Sequence, residues 1–81
     1  MDIQHSAASA RAFVGAPRVV QQAFLKQAAF LKLNLHHPSL RAKKYGGAQD
    51  LWQARINRDW RFYFRIAGDV YLILNIIPHP K

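Results

Sequence analysis

From Leu51 to the end of the chain, apolar and polar residues alternate almost without a break. This pattern constrains the fold more than any other feature. Side chains on a strand point to opposite faces in turn, so strict alternation means a sheet covered on one side only. One face collects Trp52, Ala54, Ile56, Trp60, Phe62, Phe64, Ile66, Val70, Leu72, Leu74 and Ile76. The other collects Gln53, Arg55, Asn57, Arg61, Tyr63, Arg65, Tyr71, Ile73, Asn75, Ile77 and His79. Turn-forming residues around Arg58 and Gly68 divide the stretch into three antiparallel strands, over 51–57, 60–66 and 70–78.

The apolar face needs a cover, and the first half of the chain supplies it. Ser6 is a natural cap for a short Ala-rich helix over 6–14. Gly15 and Pro17 break the chain before a second helix, from Arg18 to about Leu35. There Val20, Ala23, Phe24, Gln27, Leu31 and Leu35 fall near helical spacing. His36-His37-Pro38 ends it, because the residue before a proline avoids helical geometry. A basic loop over 38–49 follows. With 81 residues there is room for one domain, residues 1–81. The expected fold is α+β: an N-terminal helical hairpin packed on one face of a small, twisted antiparallel sheet. That sheet has three strands, or four if residues 1–5 add a weak first one.

Composition then narrows the function. Twelve Lys and Arg against four Asp and Glu give a net charge of +8, which draws polyanions. Nucleic acid ranks first as partner, ahead of an acidic protein and an anionic membrane. There is no cysteine, so disulfides and thiolate metal sites are excluded. No two of His5, His36, His37 and His79 have the i, i+4 spacing of a zinc site, and there is no Glu to assist. No metal or cofactor is expected. The apolar run 70–78 is too short for a membrane-crossing helix. No basic-then-apolar leader opens the chain, so a cytoplasmic protein without a membrane partner is expected.

The polar face carries the chemistry. Pairing core positions with core positions requires odd-length loops at both turns. Three-residue loops centred on Arg58 and Gly68 would set Arg55 opposite Arg61, Arg61 opposite Asn75, and His79 opposite Asn57. Adjacent guanidinium groups repel unless an anion lies between them, and a phosphate fits that place. His79 beside them is a candidate general base. Tyr63 and Tyr71 could stack on bases. Arg65 adds charge to the face, and Arg41, Lys43 and Lys44 could contact a phosphate backbone. Each residue alone reads as an ordinary solvated side chain; the set, with no acid within the strands, reads as a polyanion site.

Two stretches resemble the RelE/ParE toxin superfamily. One is His37-Pro38-Ser39-Leu40-Arg41-Ala42-Lys43-Lys44 followed by Leu51-Trp52-Gln53-Ala54-Arg55-Ile56. The other runs from Arg58-Asp59-Trp60-Arg61-Phe62-Tyr63-Phe64 through Gly68-Asp69-Val70 to Ile76-Ile77-Pro78-His79-Pro80-Lys81. The resemblance covers the last half of the chain in detail. It implies the toxin of a type II toxin–antitoxin pair, an endoribonuclease that cuts mRNA on the ribosome without a metal. The ribose 2′-OH would attack the adjacent phosphate, leaving a 2′,3′-cyclic phosphate and a 5′-OH. By position, Arg61 matches the phosphate-binding arginine, Arg55 a basic residue of the preceding strand, and His79 the C-terminal histidine used for acid–base work. Arg41, Lys43, Lys44, Arg65, Tyr63, Tyr71 and Lys81 complete the expected RNA and ribosome contacts. The cognate antitoxin would bring an acidic segment that folds over the basic surface. Some members use a glutamate base; with no Glu here, His79 or a lysine would serve. A gyrase inhibitor of the ParE type and a non-catalytic RNA-binding module are the alternatives.

Overall fold

The computed structural model describes residues 1–45 and 50–79. The alternating stretch forms a hairpin and a third strand, as expected, but within a larger sheet. The strands are β1 (Asp2–His5), β2 (Lys43–Lys44), β3 (Leu51–Arg55), β4 (Trp60–Ala67) and β5 (Val70–Pro78). They lie in the order β1-β5-β4-β3-β2, so the sheet has five strands and not three or four. It is also mixed, because β1 pairs parallel with β5 while the other pairings are antiparallel. The two additional strands are short edges. β2 comes from the segment expected to be a loop; Lys43 pairs with Gln53 and Lys44 with Trp52.

Helices α1 (Ala7–Gly15) and α2 (Arg18–Leu33) precede the sheet's central strands. The Ser6 hydroxyl accepts the Ser9 N–H at 3.0 Å, a helix N-cap, and donates to the Leu74 carbonyl at 2.9 Å. One side chain therefore starts the helix and pins it to β5. The Gln21 amide donates to the Phe13 carbonyl at 2.7 Å, satisfying the end of α1 from the body of α2. The stripe of α2 buries Val20, Phe24, Gln27, Ala28 and Leu31.

Phe24 meets Phe62 edge to face, with ring centres 5.2 Å apart, and Phe13 meets Phe24 at 5.8 Å. Phe62, Phe64, Ile73 and Leu31 are fully buried. Each such side chain contributes roughly 1.5–3 kcal/mol on burial, which holds the helices on one face and leaves the other open.

β5 departs from the expected register. The β4–β5 turn has two residues, Gly68 and Asp69, since Ala67 pairs directly with Val70. Gly68 takes φ 62°, the left-handed conformation that tight hairpin turns use. An even loop reverses the parity, so Tyr71 and Ile73 enter the core. Leu72 and Leu74 are only half-buried. A bulge then restores the first parity, because Tyr63 pairs with Asn75 while Phe64 pairs with Ile73, leaving Leu74 over. Beyond it Phe62 faces Ile76, and Arg61 faces Ile77 rather than Asn75. The His79 N–H donates to the Asp59 carbonyl at 2.7 Å, so His79 sits beside Asp59, not Asn57.

A basic cleft on the open face of the sheet

β3 and β4 place Arg55 directly across from Arg61, as the alternation requires. Around this pair lies a cleft of about 280 Å³, lined by Arg41, Lys43, Gln53, Ala54, Arg55, Arg61 and His79. Four of these side chains are cationic, one is an imidazole and none is a carboxylate. Such a site is electrostatically incomplete without an anion.

Local devices position Arg41, the backbone of Arg55, and Arg61. Pro38–Leu40 form a single 3₁₀ turn, capped by His37, whose Nδ1 accepts the Ser39 N–H at 3.2 Å. Leu40 is buried and anchors the turn in the core. Arg41 follows at φ 46°, a left-handed conformation that costs a non-glycine residue about 1 kcal/mol. The buried Gln27 amide donates to the carbonyls of both Ser39 and Arg55, at 2.9 Å each. It thereby ties the turn that carries Arg41 to the strand that carries Arg55.

Arg61 is braced from its own side. Its Nη1 donates to the Asn57 carbonyl at 2.7 Å and the Trp60 carbonyl at 2.9 Å. These bonds fix the guanidinium against the β3–β4 turn, which Asn57 Oδ1 closes by accepting the N–H groups of Asp59 and Trp60. Burial pushes the pKa of Arg61 down, and repulsion from Arg55 and Arg41 pushes it further; Asp59 and Tyr63 act in the opposite direction. The group remains a cation, since arginine does not deprotonate in proteins. Arg55 Nε is buried and has no hydrogen-bond partner among the described residues.

The other residues singled out from the sequence lie further out. Tyr63 flanks the cleft, and its hydroxyl accepts from Gln53 Nε2 at 3.0 Å. Arg65 is exposed and pairs with Leu51, further along β4 from the cleft than Tyr63. Lys44 is on the opposite face from Lys43 and pairs with Asp50 at 3.5 Å. Tyr71 does not belong with them: its ring is buried, meeting Phe64 edge to face at 5.6 Å, where a base cannot reach it. The shortened β4–β5 turn is the cause. Lys81 lies outside the described residues.

The structure adds Tyr45, which no pattern in the sequence singles out. It is 49% exposed and meets Tyr63 edge to face at 5.4 Å, extending the aromatic surface beside Lys43. Its parity with Lys43 would have found it, had the segment been read as a strand. Among the described residues no group of three or more His, Asp or Glu could hold a metal ion. No described helix is long and apolar enough to cross a membrane.

No protein-family model matches the sequence, and no curated protein matches it. Solved structures do resemble it. The archaeal RelE–RelB complex from Pyrococcus horikoshii contains a chain with TM-score 0.78 and 21% identity, over 95% of this chain and 92% of that one. The YoeB/ParE toxin from Agrobacterium tumefaciens gives TM-score 0.82 at 14% identity, over 99% of this chain and all of that one. The isolated RelE toxin of E. coli gives 0.80 at 10% identity, over 99% of this chain and 85% of that one.

Proposed function

We propose that this chain, which has the fold of the RelE and YoeB toxins, is the toxin of a type II toxin–antitoxin pair and cleaves mRNA on the ribosome. One observation carries the reading: Arg41, Lys43, Arg55, Arg61 and the His79 imidazole line a single cleft that has no carboxylate. A fold-level likeness alone would not assign an activity, since one fold hosts many functions.

The cleft suits attack by a ribose 2′-OH on the adjacent phosphate. The His79 imidazole takes the proton from the 2′ oxygen as the O2′–P bond forms. The P–O5′ bond breaks, and a proton is delivered to the leaving 5′ oxygen. Lys43 is the donor within the cleft, with His79 returning its proton as the other route. The products are a 2′,3′-cyclic phosphate and a 5′-OH. Arg55 and Arg61 stabilise the added charge on the phosphorus oxygens, and a braced Arg61 needs little reorganisation to do so. Tyr63 and Tyr45 offer ring surface to a neighbouring base. Arg65, Lys44 and Lys81 add to the positive field that brings RNA and ribosome to this face.

The partner that restrains such a toxin would be an acidic antitoxin segment, gaining order as it covers the basic face. Several of the similar structures are toxin–antitoxin complexes, RelE with RelB among them. A ribosome-directed protein works in the cytoplasm.

Primer extension on mRNA from cells making the protein tests the reading. New 5′ ends are expected within translated regions, absent with the Arg61→Ala variant. Intact mRNA together with arrested gyrase would instead favour a ParE-like poison.

A further inference from the structure

A second cleft, of about 540 Å³, opens between α2, the 3₁₀ turn and the β3–β4 turn. Lys26, Arg41, Arg55 and Arg58 bring four positive charges to its lining, which has no carboxylate. Arg41 and Arg55 line both this cleft and the one that holds His79. The two spaces are therefore neighbours, with these two residues as a shared wall.

Lys26 and Arg58 reach the second cleft from independent elements. Lys26 projects from α2, its ammonium 6.0 Å from the centre of the Phe30 ring. Arg58 stands in the turn that braces Arg61. Asp59 follows it in that turn and is not part of the lining. Neither Lys26 nor Arg58 lines the first cleft.

We propose that the second cleft is a subsite for another phosphate of the same RNA strand. Lys26 and Arg58 hold that phosphate, while Arg41 and Arg55 bridge it to the reacting one. The inference rests on reading the first cleft as the site of the scissile phosphate. A nucleic acid strand carries phosphates at a regular spacing, so a strand seated in one cleft continues naturally past the shared wall into the next. Neutralising each further phosphate releases condensed counterions and adds affinity that salt removes.

The test measures binding of uridine oligomers with 2′-O-methyl sugars, a dimer and a hexamer, by calorimetry at several salt concentrations. The wild-type protein is expected to bind the hexamer more tightly and with a steeper salt dependence. In the Lys26→Ala/Arg58→Ala double variant the hexamer should lose that advantage, while the dimer binds as before. The slope of log K against log salt should shallow by about 0.7 for each phosphate that the variant no longer neutralises. Unchanged melting of the double variant, and a retained advantage in Lys26→Arg/Arg58→Lys, would separate lost charge from lost fold.

Wild-type-like hexamer binding by the double variant overturns the subsite, and leaves the first cleft standing if Arg55→Gln still weakens the dimer. Failure of the wild-type protein to bind either oligomer overturns both readings. Hexaglutamate binding as tightly as the RNA hexamer, with the same loss in the double variant, would assign the cleft to an acidic peptide and overturn the RNA subsite.

Discussion

Arg55 and Arg61 occupy directly opposed positions on β3 and β4, two like charges in register on one face of a sheet. In the ligand-free protein this pair is destabilising, since like charges directly opposite cost a fraction of a kcal/mol up to about 1. Arg55 adds a buried Nε with no partner among the described residues. Arg55→Gln should therefore raise the melting temperature of the free protein while weakening RNA binding. Phosphate should stabilise the wild type more than the variant. Thermal melts with and without phosphate check both signs; a melting temperature lowered in Arg55→Gln would show that the pair is not a store of repulsion.

His79 is anchored by its backbone to Asp59 and makes no described side-chain hydrogen bond that the fold depends on. His79→Ala should leave the fold intact and RNA binding largely so. Cleavage should fall about 10²–10⁴-fold, the range for losing a general acid or base. Single-turnover rates on programmed ribosomes, with binding measured in parallel, distinguish this from a loss of affinity.

Gln27 is the one strongly polar residue in the buried stripe of α2, and its amide serves two backbone carbonyls. Gln27→Leu preserves volume and helix propensity but leaves the Ser39 and Arg55 carbonyls without that donor. It should cost about 1–3 kcal/mol in urea denaturation. It should also loosen Arg41 relative to Arg55, so RNA binding should weaken although neither arginine is altered.

His5 packs against Phe13 and Phe24, and its Nδ1 lies 2.8 Å from Ser9 Oγ. Burial lowers its pKa in the folded protein. The folded state then binds fewer protons than the unfolded one across the interval between the two pKa values. Stability from this group is present above the unfolded value, about 6.5, and is lost as pH falls through the lower folded value. Melting temperatures should drop on acidification below that point, and the drop should be smaller in His5→Gln. An equal acid dependence in the two proteins would remove His5 as its source.

The parts of the fold visible in the sequence are those with local periodicity. Alternation along 51–66 sets Arg55 against Arg61, and helical spacing from Val20 to Leu31 marks the face of α2. What stayed hidden depends on non-local pairing. β1, expected only as a weak strand, is four residues long, and Ile3 alone among them is not exposed; its parallel pairing with the edge of β5 is what the residues do not show. The bulge at Leu74 carries no glycine. It falls in the run Leu72-Ile73-Leu74, where three consecutive apolar residues do not say which face each takes, and carrying one parity straight across puts Tyr71 and Ile73 on the wrong face. Errors in β5 nevertheless leave the cleft nearly intact. The bulge restores parity before Ile76, so His79 still reaches the side where Arg55 and Arg61 lie. Tyr45 escapes notice for a different reason: a two-residue edge strand is too short to show a period.

If this cleft activates a ribose hydroxyl against its own phosphate, blocking that hydroxyl must stop the cut. The most direct measurement maps cleavage of a ribosome-bound mRNA, and of the same mRNA with one 2′-O-methyl group at the mapped site, and identifies the product ends by mass spectrometry. A 2′,3′-cyclic phosphate and a 5′-OH are expected from the unmodified message, with no cut at the methylated position. Continued cutting there, or products ending in a 3′-OH and a 5′-phosphate, would contradict this chemistry.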